Sequence, residues 1–166
     1  SQNEIFSNLE KWTFEAGEAS IAILENNNPV VLASSLNSFH IFPEIISVQP
    51  NQYAAGLQQQ LTVYGAGFDP GRNSSTYRCL TSAGTSSNLV FALSYTSIVC
   101  NLSEWNLEAR SSSFYVQDSL LHLNVTGSLA INFTESVYGV QPNESFAQNG
   151  IYITMFGAGF NKASTY

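Results

Sequence analysis

At 166 residues the chain is long enough for one domain or two small ones. Only 10% of residues are charged against 44% hydrophobic, and Ser, Thr and Asn are abundant, a balance that suits β-sandwiches with polar outer faces and disfavours helical bundles. The net charge of −7, with five Lys plus Arg spread singly, excludes a cationic surface able to neutralise a run of phosphates, so no nucleic acid partner is expected.

In chain order, the first residues, SQNEIFSNLEKW, lack the charge and hydrophobic layout of a signal peptide. No later run approaches the roughly 20 continuous apolar residues of a membrane helix, so no membrane insertion is expected in this segment. A start at Ser1 rather than Met points to a processed chain or an excerpt. Short strands are then predicted over residues 45–48, 61–64, 77–81, 89–93, 97–102, 112–116, 121–126 and 129–134, with turn residues between them. Gln60 to Tyr64, QLTVY, alternates apolar and polar residues until Gly65-Ala66-Gly67-Phe68 stops it, as a half-buried strand entering a tight turn should. Asp69-Pro70-Gly71 follows as a turn, which is not the helix N-terminus that a phosphate-cradling glycine loop requires. Leu121, Leu123 and Val125 are expected on one face with His122, Asn124 and Thr126 on the other; Leu129, Ile131 and Phe133 repeat that pattern against Ala130, Asn132 and Thr134. Seven or eight such strands suit two packed antiparallel sheets.

The chain repeats itself. Residues 46–68, ISVQPNQYAAGLQQQLTVYGAGF, return without a gap 92 residues later as residues 138–160, YGVQPNESFAQNGIYITMFGAGF. Val48, Gln49, Pro50, Asn51, Thr62 and the run Gly65 to Phe68 recur as Val140, Gln141, Pro142, Asn143, Thr154 and Gly157-Ala158-Gly159-Phe160. A weaker correspondence lays residues 4–23 over 97–116 at an offset of 93, matching Trp12 with Trp105, Glu15 with Glu108 and Asn8-Leu9 with Asn101-Leu102. Phe39-His40-Ile41 falls over Ile131-Asn132-Phe133 at an offset of 92. The expected organisation is the C-terminal part of one module over residues 1–45, a complete module over 46–137 and the N-terminal part of a further module over 138–166.

A proline after a short first strand (Pro50), a strand ending in Gly-x-Gly-Phe (Gly65, Gly67, Phe68), a Cys on the next strand (Cys79) and a second Cys closing Ser97-Ile98-Val99-Cys100 lie in one unit. In this the module resembles the IPT/TIG family of immunoglobulin-like domains, with Pro142, Gly157, Gly159 and Phe160 repeating the turn positions. The resemblance implies an all-β fold of tandem immunoglobulin-like sandwiches. It departs from the family after the second Cys, where a proline often stands and this chain has Leu102-Ser103.

The resemblance also implies a disulfide between Cys79 and Cys100, whose strands place Tyr77, Cys79, Ile98, Cys100 and Leu102 inward; two buried thiols are the alternative. Such a bond requires the Cα atoms within about 7 Å, and closing a loop of roughly 20 residues stabilises by about 3 kcal/mol in the chain-entropy account. The matching position in the first unit is Ser7, so that unit would hold by packing alone. Five N-x-S/T sequons, at Asn73, Asn101, Asn124, Asn132 and Asn143, mark candidate N-glycosylation sites. Asn101, Asn124 and Asn132 are expected on outward strand positions and Asn73 and Asn143 in loops. Trp12 and Trp105, equivalent in the repeat, are expected to serve packing rather than carbohydrate stacking. His40 and His122 stand singly on outward positions, and Glu104, Glu108 and Asp118 form neither a paired acid-base motif nor a calcium loop. No catalytic residue, metal site or cofactor is implied.

Rigid glycosylated sandwiches in series make spacers, stalks or fibres. The expectation is therefore an extracellular or cell-surface structural module whose partners are N-linked glycans and copies of itself or adjacent modules. Polymerisation head-to-tail by completion of split modules is one form of that expectation. The alternative is an ectodomain fragment of a cell-surface receptor or adhesion protein.

Overall fold

A computed structural model describes residues 8, 11–31, 38–71, 76–145 and 150–166, with the backbone alone at residue 123. Their regular structure is β throughout. In chain order the strands are β1 (Gly17–Ser20), β2 (Leu24–Glu25), β3 (Asn28–Pro29), β4 (Ser38–Ile41), β5 (Glu44–Gln49), β6 (Gln52–Ala54), β7 (Gln59–Ala66), β8 (Tyr77–Thr81), β9 (Ala92–Ser94), β10 (Ser97–Leu102), β11 (Arg110–Asp118), β12 (Leu123–Asn124), β13 (Leu129–Thr134), β14 (Ser136–Gln141) and β15 (Thr154–Ala158).

Period-two alternation builds the central part. Along β7 it buries Leu61, Val63 and Gly65 and leaves Gln60 and Tyr64 outside; along β10 it buries Ile98, Cys100 and Leu102. β8 sends Tyr77, Cys79 and Thr81 inward, and β11 sends Ser112, Phe114, Val116 and Asp118. These faces meet as an immunoglobulin-like sandwich. One sheet has the order β5-β7-β10-β9; the other has the order β12-β11-β13-β6, with β8 also paired to β11. The core between them holds Leu61, Val63, Phe68, Ile98, Phe114 and Ile131, all essentially without solvent contact. Trp105 stacks on Phe133 with ring centroids 3.8 Å apart, and Phe68 meets Tyr77 edge-on at 5.8 Å.

Two predicted elements differ, and one strand is unforeseen. The strand expected over residues 121–126 shrinks to β12, because Ser119 to His122 form turns. The Asp118 carboxylate accepts the N–H groups of Leu120 and Leu121 at 3.0 and 3.1 Å, and His122 takes a positive φ of 53°, so the chain cannot stay extended there. Leu121 is consequently half exposed, although Val125 is buried. The strand expected over 89–93 begins only at Ala92, with Val90 reduced to an isolated bridge to Tyr77. β6 was not expected at all: its three residues pair in parallel with Asn132 to Thr134 of β13.

On either side of the sandwich lie smaller sheets. β1 pairs β4 with Gly17 opposite Ile41 and Ser20 opposite Ser38; β11 pairs β13 in the corresponding register, Arg110 opposite Phe133 and Ser113 opposite Ala130. β14 pairs β15 as β5 pairs β7: Ser136 faces Ala158 as Glu44 faces Ala66, and Gln141 faces Thr154 as Gln49 faces Thr62. The Asn-rich segment before Pro29 makes a tight β2–β3 hairpin, with Asn26 and Asn27 both at positive φ.

Candidate functional site

The disulfide is present. Cys79 on β8 and Cys100 on β10 are bonded with their Cα atoms 6.3 Å apart, and both are fully buried. Because β8 and β10 belong to different sheets, the bond ties the two layers together. The Cys79 N–H donates to Ser87 Oγ at 3.0 Å and its carbonyl accepts the Ser87 N–H at 2.9 Å, so the backbone beside the sulfur is satisfied. Ser7, the matching position of the first unit, lies outside the described residues.

The Gly-x-Gly-Phe turn has a steric origin. A Cβ on Gly65 would collide with the Glu44 carbonyl oxygen and lie 2.6 Å from the Phe68 ring, which tucks beneath the strand end. Gly67 has φ +79°, a conformation that disfavours a side chain. The second copy is built alike: a Cβ on Gly157 would meet the Ser136 oxygen and the Phe160 ring, and Gly159 has φ +83°. Pro50 and Pro142 both follow cis peptide bonds.

Both tryptophans play packing roles, to different degrees. Trp105 is fully buried and Trp12 half buried. Each indole N–H donates to the carbonyl three residues on, Trp12 to Glu15 at 2.9 Å and Trp105 to Glu108 at 3.0 Å. Each loop thus formed presents the next N–H to a glycine of the following Gly-x-Gly-Phe turn: Ala16 donates to Gly67 O at 2.8 Å and Ala109 to Gly159 O at 2.7 Å. The sequence reading missed these contacts because they are backbone to backbone. Their only side-chain trace is the alanine after each matched glutamate.

Among the described sequons, Asn101, Asn124, Asn132 and Asn143 are all exposed. Asn101 lies on β10, where its Oδ1 accepts from Gln60 Nε2 at 3.2 Å; Asn124 and Asn132 lie on β12 and β13 of the opposite sheet; Asn143 follows β14. Asn73 falls outside the described residues.

A cavity of about 220 Å³ opens near Gly67, lined by His40, Phe42 and Pro43 on one side and Tyr77, Leu121 and Val125 on the other, with Asn124 at its wall. Its lining is mostly apolar, and the Asp118 carboxylate within it serves its own loop. Among the described residues no group of three His, Cys, Asp or Glu could hold a metal. No helix among them is long and apolar enough to cross a membrane. The Tyr53 hydroxyl is buried with no hydrogen-bond partner among the described residues, and burial pushes its pKa up to about 12.

Residues 43–134, more than half of the chain, match the family model of the IPT/TIG domain. The chain belongs to the IPT/TIG family. The matched stretch runs from just before β5 to the end of β13 and so coincides with the two-sheet sandwich. IPT/TIG domains are immunoglobulin-like modules without enzymatic activity, and the disulfide-linked core is compatible with an extracellular setting. The comparison with curated proteins gives no match.

Proposed function

We propose that this chain is a segment of an extracellular, N-glycosylated array of IPT/TIG modules whose work is mechanical: it spaces and stiffens, and it carries no chemistry. The disulfide between the sheets carries the reading, since such bonds persist in oxidising compartments and are rare in the cytosol. The exposure of the four described sequons supports it, because a glycan at any of them would project into solvent. For the flanks, support comes from register: β1–β4 pairs as β11–β13 does and β14–β15 as β5–β7 does, as parts of further modules of the same kind would.

Intact-mass measurement of the protein from its natural source, before and after enzymatic removal of N-glycans, tests this. A mass loss on treatment is expected. An unchanged mass would remove the glycoprotein reading.

In the polymeric form of this proposal, a neighbouring chain's β1–β4 strands cover the exposed apolar residues Val140 and Met155 of β14–β15 and Ile153 just before β15. Their counterparts Val48, Leu61 and Val63 are core residues. Electron microscopy of purified protein would then show ordered filaments; monodisperse particles would remove the polymer and leave the array.

A further inference from the structure

We propose that the Trp-to-Ala loop of each module is a seat for the Gly-x-Gly-Phe turn of the module that follows, so that successive modules are clasped at one repeated angle. This rests on the reading that the flanking strands belong to modules of the same kind.

The same clasp is found at both junctions. Ala16 N–H donates to Gly67 O at 2.8 Å and Ala109 N–H donates to Gly159 O at 2.7 Å. Each seat is shaped within its own module by the indole bond to the Glu15 or Glu108 carbonyl, which curls the loop and turns the next N–H outward. Each glycine is buried at the contact. A Cβ on Gly67 would lie 3.1 Å from Ala16 Cβ and from Pro43 Cα; one on Gly159 would lie 2.9 Å from Ala55 Cβ and 3.2 Å from Glu135 Cα. The turn must therefore be bare backbone for the modules to approach, a demand separate from the positive φ that already favours glycine there.

The connections leave no slack. β4 ends at Ile41 and β5 begins at Glu44; β13 ends at Thr134 and β14 begins at Ser136. A one- or two-residue link cannot act as a flexible spacer, and with the clasp closed a module is held to its predecessor at two points. The surroundings of the two joints differ, with Phe14 against the Tyr95 ring at the first and Ser136 Oγ donating to Ala55 O at the second. Among the described residues the backbone clasp is common to both, and it requires no particular side chain beyond glycine on one face. The partner it fits is any further module that carries the turn.

The test uses the full chain and its Gly159→Val variant, with Gly150→Val as a control because a side chain at Gly150 would meet nothing within 4 Å. Amide hydrogen exchange and residual dipolar couplings are read by NMR. In the unaltered chain the Ala16 and Ala109 amides are expected to exchange at least about tenfold more slowly than open loop amides. Gly159→Val is expected to speed Ala109 about tenfold or more and to free the β14–β15 couplings from those of the sandwich, while Ala16 and the control stay unchanged. Should Gly159→Val unravel β14–β15 itself, Ala109→Pro removes the donor from the seat side and is expected to free the couplings with the hairpin intact. Ala109 exchanging at loop rate while the β14–β15 amides are protected would overturn the clasp and leave the array standing. Unprotected β14–β15 amides in the unaltered chain would overturn both.

Discussion

The β5–β7 and β14–β15 pairs carry the same motif, the same register and the same irregularity after the second pair of facing residues, yet their environments are opposite. Leu61 is 1% exposed and its counterpart Ile153 58%; Val63 is fully buried and Met155 nearly half exposed. Pairing and turn are thus written locally, in the alternation and the two glycines. Burial is not local: for β5–β7 it comes from β8, β11 and β13 across the sandwich, and β14–β15 has no such layer among the described residues. The motif alone makes a hairpin, and the opposite sheet makes it a domain.

Substitutions that act through the opposite sheet should separate the two hairpins, and those that act within the turn should not. The largest effect is expected at Trp105→Ala, which removes the ring stacked on Phe133 and costs about 3–5 kcal/mol in denaturant unfolding of the sandwich. Trp12→Ala, half buried, should cost far less. Reducing the Cys79–Cys100 bond should lower the stability of the sandwich by about 3 kcal/mol for its 21-residue separation. Amide exchange in β14–β15 should not respond. Gly65→Ala and Gly157→Ala each drive a Cβ into a carbonyl oxygen and a phenylalanine ring of the same turn, so each should cost its own hairpin about 1–3 kcal/mol. A penalty at Gly65 alone would show that the turn depends on the covering sheet.

A smaller effect, of opposite sign, is expected at Tyr53, on β6. Its partnerless hydroxyl makes Tyr53→Phe stabilising by about 1 kcal/mol at neutral pH. Burial raises its pKa from 10.0 to about 12, so the folded chain keeps a proton that the unfolded chain releases. Its contribution is fully present below pH 10 and is lost as pH rises towards 12. The phenylalanine variant should show a correspondingly shallower alkaline decline in melting temperature.

Much of this was legible in the sequence because it is periodic or steric. The alternation in QLTVY and SIVCNL placed Leu61, Val63, Ile98, Cys100 and Leu102 inward, where they lie. The parity argument likewise put Asn101 and Asn132 on the surface. What escaped lacks a local pattern. β6 is three residues long and is held by a parallel partner some eighty residues away, so nothing within Gln52 to Ala54 announces it. Residues 121–126 do alternate, but the Asp118 side chain captures two backbone N–H groups first, and local capture defeats periodicity. The Ala16–Gly67 and Ala109–Gly159 hydrogen bonds are made of main chain, and main chain leaves little signature beyond the small residues that let it approach.

The central claim, one hairpin motif with burial supplied from across a sandwich, is tested most directly by unfolding Leu61→Ala and Ile153→Ala side by side, each followed by exchange of its own hairpin's amides. Leu61→Ala is predicted to cost about 2–5 kcal/mol, and Ile153→Ala less than about 1 kcal/mol, since its side chain is already largely in solvent. Equal losses at the two positions would contradict the account.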